Sequence, residues 1–393
     1  MNLVLTLNGG SSSIKFALHR IDAGLQRTVS GRIERIGLSG TSMSVLDHQT
    51  RQDETRTISG DFSAAVQALC EWLEQQVGLA NIQAVVHRVV HGMQHEQPAL
   101  LTPTLLQALQ GISPYDPEHM PGEIQLIQAM LVRAPQLKQV LCFDTAFHQV
   151  MPAVAKRLPL PRRYQLQGVQ RYGFHGLSYS YLLHKLQQSD AELAPGRLVL
   201  AHLGNGASMA AIKSGQCMDT TMGFTPTGGL VMGTRSGDLD PGVAWYLFNN
   251  EQLTPSEFSR LVNHESGLLG ISETSSDMRD LLALENSDAR AAEAIELFCY
   301  QARKQIGAYA AALGGLDGVV FTGGIGEHCA LVRARICTGL EFLGIELDTA
   351  SNVAHAAVAS AQQSQVKVLV LPTDEEWMMA RQACELLGIA VQS

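Results

Sequence analysis

The sequence predicts an α/β protein of two domains. Three observations lead there. Short apolar, strand-like runs alternate with long stretches poor in helix breakers, the pattern of α/β layers. The chain has 393 residues, too many for one ordinary core. One Gly/Ser-rich hairpin pattern also occurs twice: VLTLNGGSSSIK (4–15) lies over VLAHLGNGASMA (199–210) without a gap. Either any two Gly-rich hairpins look alike, or the overlay marks an internal duplication, with one phosphate-facing hairpin in each domain; the second reading is the sharper one.

The elements follow in order. Residues 3–7 form an apolar run that ends at Asn8-Gly9-Gly10, and residues 14–18 resume it, so the segment reads as strand, turn, strand. Residues 62–77 are rich in helix formers. Residues 140–143 form a strand that delivers Asp144 at its end. Residues 198–203 and 209–212 flank the turn Gly204-Asn205-Gly206-Ala207-Ser208 and repeat the first hairpin. Residues 289–313 hold Ala, Glu, Gln and Lys with few breakers, and predict the longest helix. The strand 319–321 runs into a third Gly turn, 321–327, placed at a strand end where open α/β sheets bind ligands. Residues 366–371 predict a last strand, and Pro372 leads into a helix from about 374 to 387. Thr373 and Glu376 there have the spacing of a capping box. No low-complexity linker marks a boundary. We place it near 147–152, giving domains 1–148 plus 377–393, and 149–376.

Composition excludes several function classes. Hydrophobic residues make up 46% and charged residues 17%, which fits a globular chain rather than a disordered one. No apolar run approaches the roughly 20 residues that span a bilayer. No positive n-region precedes an apolar stretch, so a signal peptide is not expected. The seven cysteines are scattered without a CxxC pair, which indicates neither a disulfide framework nor a zinc site. Both points favour a cytoplasmic location. The net charge of −9, with no Lys/Arg block, argues against a nucleic-acid partner.

The chemistry-bearing residues fall in clusters. There is no GxxxxGK[ST] loop, no protein-kinase signature and no HExxH. His87 and His91 are four apart in HRVVH, but the valines between them favour a strand, in which the pair does not converge on a metal. Asn8 to Lys15 offers backbone N–H groups, three hydroxyls and an ammonium, and its glycines let the backbone approach an anion. Arg88 sits in an apolar segment, where a charge is costly unless paired. His175 lies among aromatics and glycines. The loop 233–241 carries Arg235, Asp238 and Asp240 between glycines, an expensive loop to order for structure alone. Phosphoryl transfer needs such a set, because its catalysis is mainly positioning plus stabilisation of charge on the equatorial oxygens. Carboxylates at Asp144 and Glu375 can orient groups or hold Mg²⁺, a hard ion that prefers oxygen.

Nine strings, in order along the whole chain, resemble the acetate kinase family. They are NGGSSSIK (8–15), HRVVHG (87–92), FDTAFH (143–148), RYGFHG (171–176), HLGNGAS (202–208), MGTRSGDLDP (232–241), GLLGIS (267–272), FTGGIGE (321–327) and PTDEE (372–376). The resemblance implies the actin, heat-shock-protein and sugar-kinase superfold: two similar actin-like (ribonuclease H-like) domains with a central cleft. It also implies a homodimer whose interface lies in the second domain, with ATP as co-substrate, Mg²⁺ (or Mn²⁺) as the metal, and no nucleic-acid or membrane partner. By resemblance, Asn8 and Glu375 attend the metal, and Ser11, Ser12 and Lys15 lie near the phosphates. Arg88 and Arg235 flank the transferring phosphoryl group, His175 donates to it, and Asp144 orients the arginine or a metal-bound water. His202, Gly204, Asn205 and Gly206 match the second phosphate hairpin. Asp277, Met278 and Arg279 match the adenosine side, with Gly323, Gly324, Ile325 and Gly326. Val90, Phe174 and Pro226 match an apolar pocket for the substrate's alkyl end. The implied reaction is direct in-line attack of acetate on the γ-phosphorus of ATP. Propionate is the nearest alternative acceptor, and a non-catalytic actin-like ATP-binding module is a more distant reading.

The sequence departs from the family in four places. Asn8 is followed by Gly9 where Cys or Ala is common. Met93 replaces a usual Gly. Ser113-Pro114-Tyr115-Asp116-Pro117 replaces Ala-Pro-Leu-His-Asn-Pro, placing Tyr115 at a leucine of the alkyl pocket. Thr225-Pro226-Thr227-Gly228-Gly229 replaces a common Pro-Leu-Glu-Gly. A bulkier Tyr115 is expected to narrow that pocket and favour acetate over butyrate.

Overall fold

The computed structural model describes residues 2–10, 13–22 and 24–391. It divides into two compact units, Met1–Gln149 with Asp374–Ser393, and Val150–Thr373.

The first unit is built on an eight-stranded sheet. Its strands are β1 (Leu3–Gly9), β2 (Ile14–Arg20), β3 (Gln26–Glu34), β4 (Ser42–Asp47), β5 (Asp53–Thr57), β6 (Ile82–Val89), β7 (Ala99–Leu100) and β8 (Lys138–Phe143), in the order β5-β4-β3-β2-β1-β6-β8-β7. β1 to β5 form an antiparallel meander, whereas β1, β6 and β8 run parallel. β1, β6 and β8 are mostly apolar and buried on both faces, the signature of strands covered on both sides. One face packs Leu5, Leu7, Ile14, Phe16, Ile33 and Met43 against Leu69 and Leu73 of the helix Phe62–Gln76. Phe16 lies across its paired residue Gly31 so closely that a Cβ there would stand 2.2 Å from the ring. The carboxyl ends of β6 and β8 therefore deliver Arg88 and Asp144 side by side, next to Asn8 of β1.

The second unit carries a five-stranded sheet, β11-β10-β9-β12-β13, from β9 (Arg197–Leu203), β10 (Ala207–Lys213), β11 (Gln216–Thr220), β12 (Gly318–Thr322) and β13 (Lys367–Val370). The expected long helix is Ala289–Leu313. It opens on the side-chain cap of Asp288 and stops at Gly314, whose φ of 73° supplies the left-handed residue that ends a helix. Both sheets share a local plan, an antiparallel hairpin whose first strand also pairs with a parallel strand: β2-β1-β6 in one unit and β10-β9-β12 in the other.

Three expectations are corrected. Gly9 opposes Ile14, five positions on, whereas Leu203 opposes Ala207, four positions on. The ungapped overlay of the two hairpins therefore fails at the turn by one residue. The last helix, Glu375–Leu387, is capped by Asp374, whose Oδ1 accepts from the Trp377 amide at 2.9 Å. Thr373 instead donates its hydroxyl to Ser178 Oγ at 2.8 Å, so it does not form a capping box. Residues 374–376 belong with the first unit, because this cap starts the helix that packs on β1, β2, β6 and β8.

His19, in β2 between Val4 and Arg27, is buried and finds no hydrogen-bond partner for either ring nitrogen among the described residues. Burial, helped by the charges of Arg27 and His48, pushes its pKa down to about 3. The folded state thus refuses a proton that the unfolded chain accepts near 6.5. Stability from this site is complete above 6.5 and falls as pH drops toward 3. Denaturant unfolding of His19→Leu should gain about 2 kcal/mol relative to wild type on moving from pH 8 to pH 5. A pH-independent difference would contradict this.

Candidate active site

The first unit gathers one cation and three carboxylates. Arg88 is the penultimate residue of β6; its Nε donates to Asp144 Oδ2 at 3.0 Å and its Nη2 donates to the same oxygen. Its Nη1 donates to Asn8 Oδ1 at 3.3 Å. Glu123, on the helix Met120–Arg133, stands 3.9 Å from Nη1 and accepts from the Val90 amide at 2.9 Å. Burial alone would lower the Arg88 pKa, but Asp144, Glu375 and Glu123 outweigh it and hold the guanidinium charged. Burial pushes Glu123 up to about 8, against the pull of Arg88. Burial and the Asp144 charge push Glu375 up to about 7, against Arg88 and Lys15.

This donor set fits a hard divalent cation. Asp144 Oδ1 is buried and has no hydrogen-bond partner among the described residues. Three carboxylates share one guanidinium, so added positive charge would relieve their repulsion. Among the described residues no three His, Cys, Asp or Glu side chains form a metal cage. Mg²⁺ ordinarily takes only one or two carboxylates, completing its shell with water and phosphate.

The second unit positions a histidine by its backbone and by a relay of hydroxyls. His175 adopts φ 59°, a left-handed conformation, immediately before the helix Gly176–Ser189. Its Nδ1 bonds Ser208 Oγ at 2.8 Å, and Ser208 in turn meets the Tyr179 hydroxyl at 2.5 Å. The ring stacks on His202 with centroids 4.2 Å apart, and His202 Nδ1 is held by Ser178 Oγ at 2.8 Å. A Cβ on Gly206 would stand 3.4 Å from His175 Nε2 and 3.9 Å from Arg235 Nη1, so these three residues meet. Arg235 Nη1 donates to the Pro226 carbonyl at 3.2 Å. Its loop is clamped by Gly267, at φ 65°, where a Cβ would strike Met232 O at 2.2 Å.

A family model described as the acetokinase family matches residues 3–381. The chain belongs to the acetokinase family. It is 42% identical to the acetate kinase of Methylocella silvestris, covering 98% of both chains. Among solved structures it resembles the Porphyromonas gingivalis acetate kinase at a TM-score of 0.89 and 37% identity, covering 98% of this chain and 100% of that one. It resembles a propionate kinase from Francisella tularensis at 0.92 and 34%, covering 97% and 99%. The mixed α/β fold is the actin-like fold of these acetokinase structures.

The remaining candidate residues of this acetokinase fall into groups. Gly204 donates to the Gly206 carbonyl at 3.0 Å, and a Cβ on it would stand 3.8 Å from Gly324 N, so the second and third Gly turns adjoin. Asn205 is exposed, and its carbonyl accepts from Gly233 N at 2.9 Å. A Cβ on Gly233 would stand 3.2 Å from the Ser276 carbonyl, which brings the segment 276–279 beside this turn. Gly323, at φ 77°, and Thr322 both donate to Glu327 Oε1, fixing the start of Gly323–His328, which also holds Gly324, Ile325 and buried Gly326. Asp277 caps the helix Met278–Leu284 and pairs with Arg279, whose side chain is 88% exposed. The Met278 side chain is buried. Lys15 is exposed on β2. Val90, Phe174 and Pro226 are buried apolar residues. Ser11 and Ser12 lie outside the described residues.

Sequence reading missed Glu123, Ser208 and Tyr179 as supports. Glu123 left a signal: it lies three residues after Met120 and four before Ile127, on the buried stripe of an amphipathic helix. Met93 takes φ 53°, a left-handed conformation in which glycine costs nothing, consistent with the glycine usual there.

Arg88→Met should destabilise the protein by about 3–5 kcal/mol at pH 9, because it strands buried carboxylates. The loss should shrink at pH 6. The folded pKa values of Glu123 and Glu375 lie above the ordinary 4.5, so these groups take up protons as pH falls through 8 and 7. Equal losses by denaturant unfolding at both pH values would contradict the cluster's electrostatics.

Proposed function

We propose that this acetokinase transfers the γ-phosphoryl group of ATP reversibly to acetate, giving acetyl phosphate and ADP by direct in-line attack. The observation that carries this reading is a largely buried arginine held ready by Asp144 and Asn8, a fixed cation suited to an anionic acceptor that calls for no general base. A carboxylate is already ionised at neutral pH, so none is needed. Arg88 and Arg235 neutralise the equatorial oxygens, and His175, aimed by the bond from its Nδ1 to Ser208, donates through Nε2. Asp144 keeps the Arg88 fork in one orientation. Asn8 and Glu375 hold Mg²⁺ (or Mn²⁺), which when bound neutralises the phosphate oxygens. Lys15 and Ser12 attend the phosphates. The turn 204–206 with His202, the turn 323–326 and the segment 277–279 receive the rest of the nucleotide. Val90, Phe174 and Pro226 surround the methyl end.

Propionate is the second reading, since one of the similar structures is a propionate kinase. Tyr115, by its bulk at the position of a family leucine, favours the smaller acid; its ring meets His91 edge-on at 5.6 Å. We assign a homodimer, supported by the helix Pro241–Asn250, which leaves Trp245 71% and Tyr246 56% exposed beside Val243 and Phe248. No helix among the described residues is long and apolar enough to cross a membrane. We place the protein in the cytoplasm, where ATP is supplied.

An ADP-coupled assay with Mg²⁺-ATP and a panel of acids tests the reaction. Acetate should turn over best and butyrate worst, and Arg235→Ala should lose about 10²-fold or more. No ADP with any short carboxylate would favour the non-catalytic module, and a preference for butyrate would contradict the role of Tyr115. Light scattering should report a dimer, and Trp245→Glu should shift it toward monomer; an unshifted dimer would move the interface elsewhere.

A further inference from the structure

Glu375 lies in the middle of an acidic run, Asp374-Glu375-Glu376, at the start of the helix Glu375–Leu387. Both of its neighbours are tied to one guanidinium. Arg27 Nη2 pairs with Asp374 Oδ1 and stands 3.7 Å from Glu376 Oε2. Asp374 Oδ1 also accepts the Trp377 amide, and Trp377 Nε1 donates to the Leu25 carbonyl at 3.2 Å. The start of β3 and the turn before it therefore grip the first helical turn at residues 374, 376 and 377. The Glu375 carboxylate is left to the field of Asp144, Arg88 and Lys15.

We propose that Arg27 is a positioning residue for Glu375: by holding both flanking carboxylates it fixes the backbone from which Glu375 reaches the metal. This rests on the reading of Glu375 as a metal-associated residue. Arg27 and Asp374 keep 30% and 25% of their side-chain surface exposed, and a pair so wetted contributes little to stability. The same contact can matter far more for a metal site, where supporting partners typically change affinity 10- to 100-fold.

The test is Mn²⁺ titration followed by electron paramagnetic resonance, with full-length enzyme in saturating ADP and Mn²⁺–ADP alone as blank. Arg27→Met should weaken enzyme-bound Mn²⁺ about 10-fold, Arg27→Lys should recover part of the loss, and Glu375→Gln should weaken it at least as much. Wild-type Mn²⁺ binding in Arg27→Met, alongside a loss in Glu375→Gln, would overturn this inference and leave the metal reading intact. Wild-type binding in Glu375→Gln would overturn both. Should Arg27→Met fail to fold, Asp374→Asn breaks the same ion pair while keeping a good helix cap, and the same outcomes decide.

Discussion

Arg88 occupies a place that would reject a charge unless its partners were already there. It lies one residue before the end of a strand buried on both faces, and its side chain is only 15% exposed. Asp144 takes two of its N–H groups on one oxygen, Asn8 takes a third, and Glu123 stands behind. The cost of desolvating the ion is met by these contacts, so the guanidinium is fixed before any ligand arrives. Preorganisation of this kind is what a charge-stabilising catalyst requires, because the donors need not reorganise during the reaction. Much of the first unit serves it: parallel β6 and β8 bring the pair together, the helix Met120–Arg133 brings Glu123, and the chain returns after residue 373 to bring Glu375.

The second unit holds its candidate residues by backbone shape and hydroxyl contacts. His175 is held by a left-handed backbone, a stacked His202 and a hydroxyl relay through Ser208 and Tyr179. Arg235 rides on a loop whose shape depends on Gly267 and Gly237, each with positive φ and no room for a Cβ. In the first unit opposite charge holds Arg88, and in the second, backbone shape and hydroxyl contacts help to hold His175 and Arg235. The two share the plan of hairpin plus parallel strand, and differ by one residue in the spacing of their last paired positions.

Strands, long helices and Gly turns were legible because each has a local cause. The helix Ala289–Leu313 follows from good formers between an Asp cap and a Gly stop. The first hairpin follows from two apolar runs around glycine. Choices among equivalent local signals were not legible. Thr373 and Asp374 are both competent caps, and tertiary contacts decide: the Thr373 hydroxyl goes to Ser178 and the Asp374 carboxylate to Trp377 and Arg27. Arg88 and Asp144 could be named as a costly cation and a strand-end carboxylate, but their pairing spans 56 residues. Glu123 and the Ser208–Tyr179 contact depend on packing that no short window of sequence encodes.

The central claim is that the Arg88 guanidinium, held by Asp144, faces the phosphoryl group in transfer. A crystal structure with Mg²⁺, ADP, aluminium fluoride and acetate measures this most directly. The account predicts that Arg88 and Arg235 both donate to the fluorides of one aluminium centre, with Asp144 still bound to Arg88. An aluminium fluoride contacted by Arg235 alone, with Arg88 bonded only to Asp144 and Asn8, would contradict it.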